Sequence, residues 1–142
     1  MRAVAVGQTV VIIAFSWLLT RAIVGAIDVM ESDGIIDNAR AIGTDHLAPG
    51  LAELAAKHPL IGEVRGLGVF WALDLVDDPE SRQPVSGGVV LELKKALMQR
   101  GLLPFTADNR IHVVPPCIVT PDEVATALAI YDEAFTEVEA TL

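Results

Sequence analysis

The chain has 142 residues, of which 52% are hydrophobic and 20% charged; that is enough apolar material for one packed core and too little length for a second full domain. Its formal net charge of -9 opposes a phosphate backbone, which excludes nucleic acid as a partner. A single cysteine, Cys117, has no internal disulfide partner and no His or Cys pair stands at metal-ligand spacing, so a reducing, cytoplasmic setting and no metal site are expected.

In chain order, residues 3–20 carry no charge, and Val10-Val11-Ile12-Ile13-Ala14-Phe15-Ser16-Trp17-Leu18-Leu19 is almost wholly apolar. Three readings compete. A secretory signal fits Arg2 and the apolar run but lacks a good cleavage site. A membrane span needs about 20 apolar residues, and Gly7, Gln8 and Thr9 make this one marginal. The preferred reading is a helix apolar all round because a larger protein body covers it. Residues 1–21 are therefore taken as an apolar helical segment and residues 22–142 as the folded domain.

Ile23, Ile27 and Met30 continue that helix to a stop at Glu31-Ser32-Asp33-Gly34. A second helix is expected from residue 35 to about 58, with Ile36, Ala39, Gly43, Leu47, Leu51 and Leu54 as its apolar stripe and a kink at Ala48-Pro49-Gly50. Residues 61–66 and 67–76 read as β structure bent at Gly66 and Gly68, glycines that mark close backbone approach or a bulge. After a polar loop at 77–84 come a helix at 89–100 ended by Gly101, then two short strands at 102–106 and 110–114 joined at Ala107-Asp108-Asn109. Thr120-Pro121-Asp122-Glu123 spells a capping box, and Val124, Leu128, Tyr131, Phe135 and Val138 continue one helical face. The fold class is α+β: a small, mostly antiparallel sheet with helices packed on one face, preceded by a long apolar helix.

Few residues carry a recognisable chemical signature. There is no nucleophile elbow, P-loop or zinc signature. His46 and His58 are read as polar surface residues, while Phe105, Trp71 and Tyr131 are read as ordinary core. Arg65 is expected to pair with a nearby carboxylate. Arg110 and His112 stand two apart on a strand and so share a face, where they can present two groups to one anion or simply line a solvated strand.

Several runs occur in a telling order: Val29-Met30-Glu31-Ser32-Asp33-Gly34-Ile35, then Ala55-Ala56-Lys57-His58-Pro59-Leu60-Ile61-Gly62-Glu63-Val64-Arg65-Gly66-Leu67-Gly68, then Leu102-Leu103-Pro104-Phe105, and last Asn109-Arg110-Ile111-His112-Val113-Val114-Pro115-Pro116-Cys117. Together with the capped last helix, they resemble the C-terminal small domain of class-III pyridoxal-phosphate (PLP) aminotransferases, the omega-aminotransferases of fold type I. The resemblance covers about residues 22 to 142. It implies a parent activity of amino-group transfer between an amine or amino acid and a keto acid. It also implies a large doubly wound domain that binds PLP through a Schiff-base lysine and an aspartate.

None of that large domain is legible here, and Lys57, Lys94 and Lys95 all fall in small-domain segments. The expectation is therefore no catalytic and no cofactor-binding residue in this chain, with the missing large PLP-binding domain or a second copy of the chain as its partner. The resemblance further implies that the strand before Pro115-Pro116 faces the active-site entrance. Some family members place an arginine where His112 stands, and this sequence departs from that pattern, although Arg110 lies two residues earlier. Substrate-carboxylate binding by Arg110 or His112 follows as an expectation. So does departure at the start, where residues 1–21 lack the Ser-Gly-His-Pro-like stretch of the family. The alternative to an inert small domain is an autonomous interaction or ligand-binding module, membrane-associated through its apolar start.

Overall fold

The computed structural model describes the backbone of residues 2–142 and the side chains of residues 11–142. The sequence readings of Arg2, Gly7, Gln8 and Thr9 as signal or span features lie outside the described side chains. The chain forms two compact units, Met1–Ile36 and Asp37–Leu142.

The first unit is dominated by α1, Arg2–Ser32. With 100° between successive residues, its exposed Val11, Ile12, Ile13, Phe15, Trp17 and Leu18 lie on all sides of the helix. The stretch Val11–Ser32 has a mean hydropathy of 1.7 over its most apolar window and is long enough to cross a membrane. It ends where Gly34 takes φ +63°, a left-handed conformation that glycine adopts without a Cβ clash.

The expected second helix is present but divided. α2 (Ile35–Ile42) runs into a π-helical turn at Gly43–Leu47, and α3 (Ala48–Lys57) follows. The break precedes Pro49. A proline cannot donate to the carbonyl four residues back, and the helix widens by one residue just before it, with the Ala48 N–H donating to the Gly43 carbonyl. Leu47, Leu51 and Leu54 are buried as the stripe requires, joined by Ile42, whereas Ile36 is 50% exposed.

β1 (Ile61–Leu67) and β2 (Phe70–Asp78) form an antiparallel hairpin. The chain reverses at Gly68 (φ +56°), and a Cβ on Gly66 would meet the Trp71 ring and the Phe70 carbonyl, so both glycines act as the sequence suggests. The bulge itself lies elsewhere, between Ile61 and Glu63. The polar loop contains a two-residue strand the sequence did not announce, β3 (Gln83–Pro84), paired with the end of β2.

α4 spans Gly87–Gln99, and β4 (Phe105–Ala107) and β5 (Arg110–Val113) follow. The strand expected from 102 begins only at Phe105, because Pro104 has no N–H to give to a ladder. The strand order is β1-β2-β5-β4, all antiparallel. α5 (Pro121–Glu139) opens with the full capping box: Thr120 Oγ1 accepts from the Glu123 N–H, and the Glu123 carboxylate accepts from the Thr120 N–H.

The core lies on one face of the sheet, where Leu73, Leu75, Ile111 and Val113 meet Leu51, Leu93, Leu97 and Phe135 from the helices. The opposite strand positions carry Leu67, Phe70 and Phe105, which are 87%, 60% and 66% exposed. Phe105 is thus a surface ring and not the core residue its spacing suggests. It sits at the same side of the sheet as the pleat partners of Ile111, not with Ile111 itself.

Candidate functional site

β5 sits between β2 and β4, and its alternation sorts the candidate residues. Ile111 and Val113 point to the helices, while Arg110 and His112 share the other face, as residues two apart on a strand must. Cross-strand register then gives the two different neighbours. Asp74 of β2 stands opposite Arg110, whereas Ala72 and Phe105 flank His112.

Arg110 is drawn into a charged network. Its Nε lies 3.6 Å from Asp74 Oδ1 and its Nη2 lies 3.4 Å from Asp108. Arg65 donates to the other Asp74 oxygen, the carboxylate pairing expected of it. Arg82, with Nη2 2.9 Å from Glu63, completes the rim of a polar hollow of about 440 Å³. Charges of both signs alternate there, and an incoming anion competes with resident carboxylates for each guanidinium.

His112 has a different setting. Its ring lies 5.2 Å from Phe105 and 6.0 Å from Phe70, centroid to centroid. Its Nδ1 is buried and, among the described residues, has no hydrogen-bond partner, which is uncommon for a buried nitrogen. Beside it opens a second cavity of about 320 Å³, between the segment leading into β4, the Pro115-Pro116 turn and the first half of α5. Its walls are mostly apolar, and Tyr131 contributes a phenol whose pKa burial pushes upward, keeping it neutral. The two sequence-selected residues therefore share a sheet face but have different neighbours, carboxylates around Arg110 and aromatic rings around His112.

His58 departs from its reading as a surface residue. It is only 2% exposed, with Nδ1 2.8 Å from Glu139 Oε2 and Nε2 2.8 Å from Asp132 Oδ1, and its ring stacks on Phe135 at 5.2 Å. The partner carboxylates lie on α5, more than seventy residues away in sequence. No local pattern announces them. Hydrogen bonds from Lys57, and next from His58, hold the Asp132 carboxyl below the usual aspartate range.

The lysines bear on cofactor chemistry. Lys57 pairs with Asp132 and Lys95 with Glu92, both with side chains more than half exposed. Lys57 borders only a shallow hollow on the outer side of α3 and α5, and none of the three lysines lines the cavity beside His112. These lysines do not fit the Schiff-base site that PLP requires.

Comparison with known proteins places these features. The pattern of the family described as aminotransferase class-III matches residues 18–135. Taurine–pyruvate aminotransferase of Bilophila wadsworthia is 32% identical over 120 residues, covering 80% of this chain and 26% of its own length. The 5-aminovalerate aminotransferase of Pseudomonas putida is 30% identical over 141 residues, covering 97% of this chain and 32% of its own length. Among solved structures, an omega-aminotransferase from Paracoccus denitrificans superposes with a TM-score of 0.78 at 28% identity, over 84% of this chain and 26% of that one. An amine transaminase from an uncultivated Pseudomonas species, in its PLP-bound form, gives 0.74 at 31% identity, over 78% of this chain and 25% of that one. The chain thus spans about a quarter to a third of the length of the curated relatives it matches. It belongs to the class-III aminotransferase family.

Proposed function

We propose that this chain supplies the small-domain portion of an enzyme that moves an amino group between an amine or amino acid and a keto acid. The observation that carries the proposal is the family match over residues 18–135, set against relatives of which the chain covers only a quarter to a third. PLP, held by a cofactor-binding domain in the same or another polypeptide, would supply the electron sink for that chemistry. The placement of Lys57, Lys94 and Lys95 supports a division of labour in which this chain holds no cofactor and is inert by itself. Its own contribution would be to the substrate, whose carboxylate would meet Arg110 or His112 on β5.

One observation favours a second reading. α1 is apolar on every described side and long enough to cross a membrane, as a membrane-associated interaction or ligand-binding module would require. The family match begins inside this helix, at residue 18, and the P. putida relative aligns over 97% of the chain. Both favour a protein surface as its cover and a cytoplasmic setting.

Titrating the purified chain with PLP tests the division of labour. We expect no Schiff-base absorbance and no lysine adduct after borohydride reduction. A stoichiometric adduct on any of the three lysines overturns it.

A further inference from the structure

Between residues 3 and 30 the chain holds only two charges, Arg21 and Asp28, both exposed on α1. Seven residues make nearly two helical turns, so the two side chains stand on one face, about 10 Å apart along the axis. No residue three or four positions from Arg21 is acidic, and none at those distances from Asp28 is basic, so the helix cannot pair either one internally. The guanidinium of Arg21 instead lies 6.0 Å from the Trp17 ring centroid. Whatever covers this apolar helix must therefore also meet both charges. Lipid does not, because Arg21 falls at the middle of Val11–Ser32, the depth at which a charged side chain is most costly. A second copy of the helix meets them by symmetry. Where two α1 helices cross antiparallel between Val24 and Gly25, Arg21 of each copy stands level with Asp28 of the other, and the ion pair is made twice. In a parallel pair Arg21 meets Arg21 and Asp28 meets Asp28, so the same residues oppose that arrangement. Gly25 lies on the face that carries both charges, and nothing lies within 4 Å of the place its Cβ would take, so two backbones can approach closely at the crossing.

We propose that α1 is a self-association surface: two copies of this chain pair antiparallel through the face bearing Leu18, Arg21, Gly25 and Asp28, with reciprocal Arg21–Asp28 ion pairs about the crossing. Trp17 and Val29, 67% and 52% exposed, flank that face and supply apolar area. The charges set orientation and register more than affinity, since a desolvated ion pair specifies more than it stabilises. The inference goes beyond the enzymatic reading and rests only on protein, as opposed to lipid, being the cover of α1.

The test is sedimentation equilibrium of the full 142-residue chain in aqueous buffer, before and after charge reversal. The parent chain should give a dimer. Asp28→Arg leaves only cations on the pairing face and Arg21→Glu only carboxylates, so each alone should weaken dimerisation at least about tenfold. An equimolar mixture of the two variants should dimerise as the parent does, because each chain then supplies the charge that the other lacks. Orientation is read by oxidising a mixture of Leu18→Cys and Ser32→Cys chains, each also carrying Cys117→Ser. The mixed disulfide between positions 18 and 32 should dominate, since antiparallel pairing brings only those two level. A monomeric parent chain overturns the proposal, as do charge reversals without effect or a predominance of disulfides between like positions. Partition of the parent chain into phosphatidylcholine vesicles in preference to a water-soluble dimer overturns it together with protein as the cover of α1, and leaves the enzymatic reading standing. The mass of the parent chain is read without any substitution and decides the first point even if a variant folds poorly.

Discussion

Replacing His58 by alanine should be among the most damaging single changes in the domain. The ring is 2% exposed and faces Glu139 and Asp132 at 2.8 Å on its two sides. A hydrogen bond to a charged group contributes about 1.5–3 kcal/mol, and a carboxylate oxygen lies within hydrogen-bond distance of each ring nitrogen, so the two contacts together contribute at most about 3–6 kcal/mol. The partners are not sealed from water, with side chains 34% and 20% exposed, so they regain part of their hydration when the ring is removed. Discounting for that, and adding the lost stacking on Phe135, gives a net cost of about 3 kcal/mol. At a urea slope of about 2 kcal/mol per M, the unfolding midpoint should fall by about 1.5 M. Lys57→Ala is the internal comparison. It removes a pair whose lysine is 58% exposed, and should shift the midpoint by less than about 0.5 M. Should His58→Ala also shift by less than about 0.5 M, the two-sided clamp does not carry the stability argued for it.

Three further outcomes are expected. Gly43→Ala places a Cβ on the backbone of Gly68, where no flexible side chain can yield, and should cost about 1–3 kcal/mol in the same urea assay. Thr120→Ala removes the hydroxyl that caps α5 and should cost about 1 kcal/mol, read as a lower thermal midpoint with unchanged helix content. The Asp132 carboxyl titrates lower in the folded chain than its ordinary 3.8, first through Lys57 and then His58. Its stabilising contribution is therefore complete above that ordinary value and is lost as pH falls through the depressed one. Stability measured across that acid window should drop more steeply in the parent chain than in Asp132→Asn; parallel curves would disprove the linkage.

Elements whose causes are local were legible in the sequence. The capping box at Thr120 and Glu123, the reversal at Gly68 and the stop at Gly34 each depend on a few adjacent residues, and each appears where their chemistry places it. The shared face of Arg110 and His112 was equally legible, since strand alternation alone dictates it. What separates the two was not. The register that sets Asp74 beside Arg110 joins residues about thirty-six positions apart. The same holds for His58, whose polar surroundings are supplied by α5. Phe105 misled for a further reason: an aromatic residue in a short strand suits either face, and only pairing decides which. The two-residue β3 is held by pairing to β2 and has no propensity signal of its own, with a proline as one of its members.

The interleaved strand order has a kinetic side. β2 and β5 are flanked by other strands, whereas β4, three residues long, forms one border of the sheet beside the cavity. Amide hydrogens shared between β2 and β5 can exchange with solvent only when the whole sheet opens, so their rates report the global unfolding free energy. Those bonding β4 to β5 need only the border strand to peel away. The cavity lined by Phe105 is thus bordered by a short edge strand, and anything that holds β4 in place would slow exchange there first.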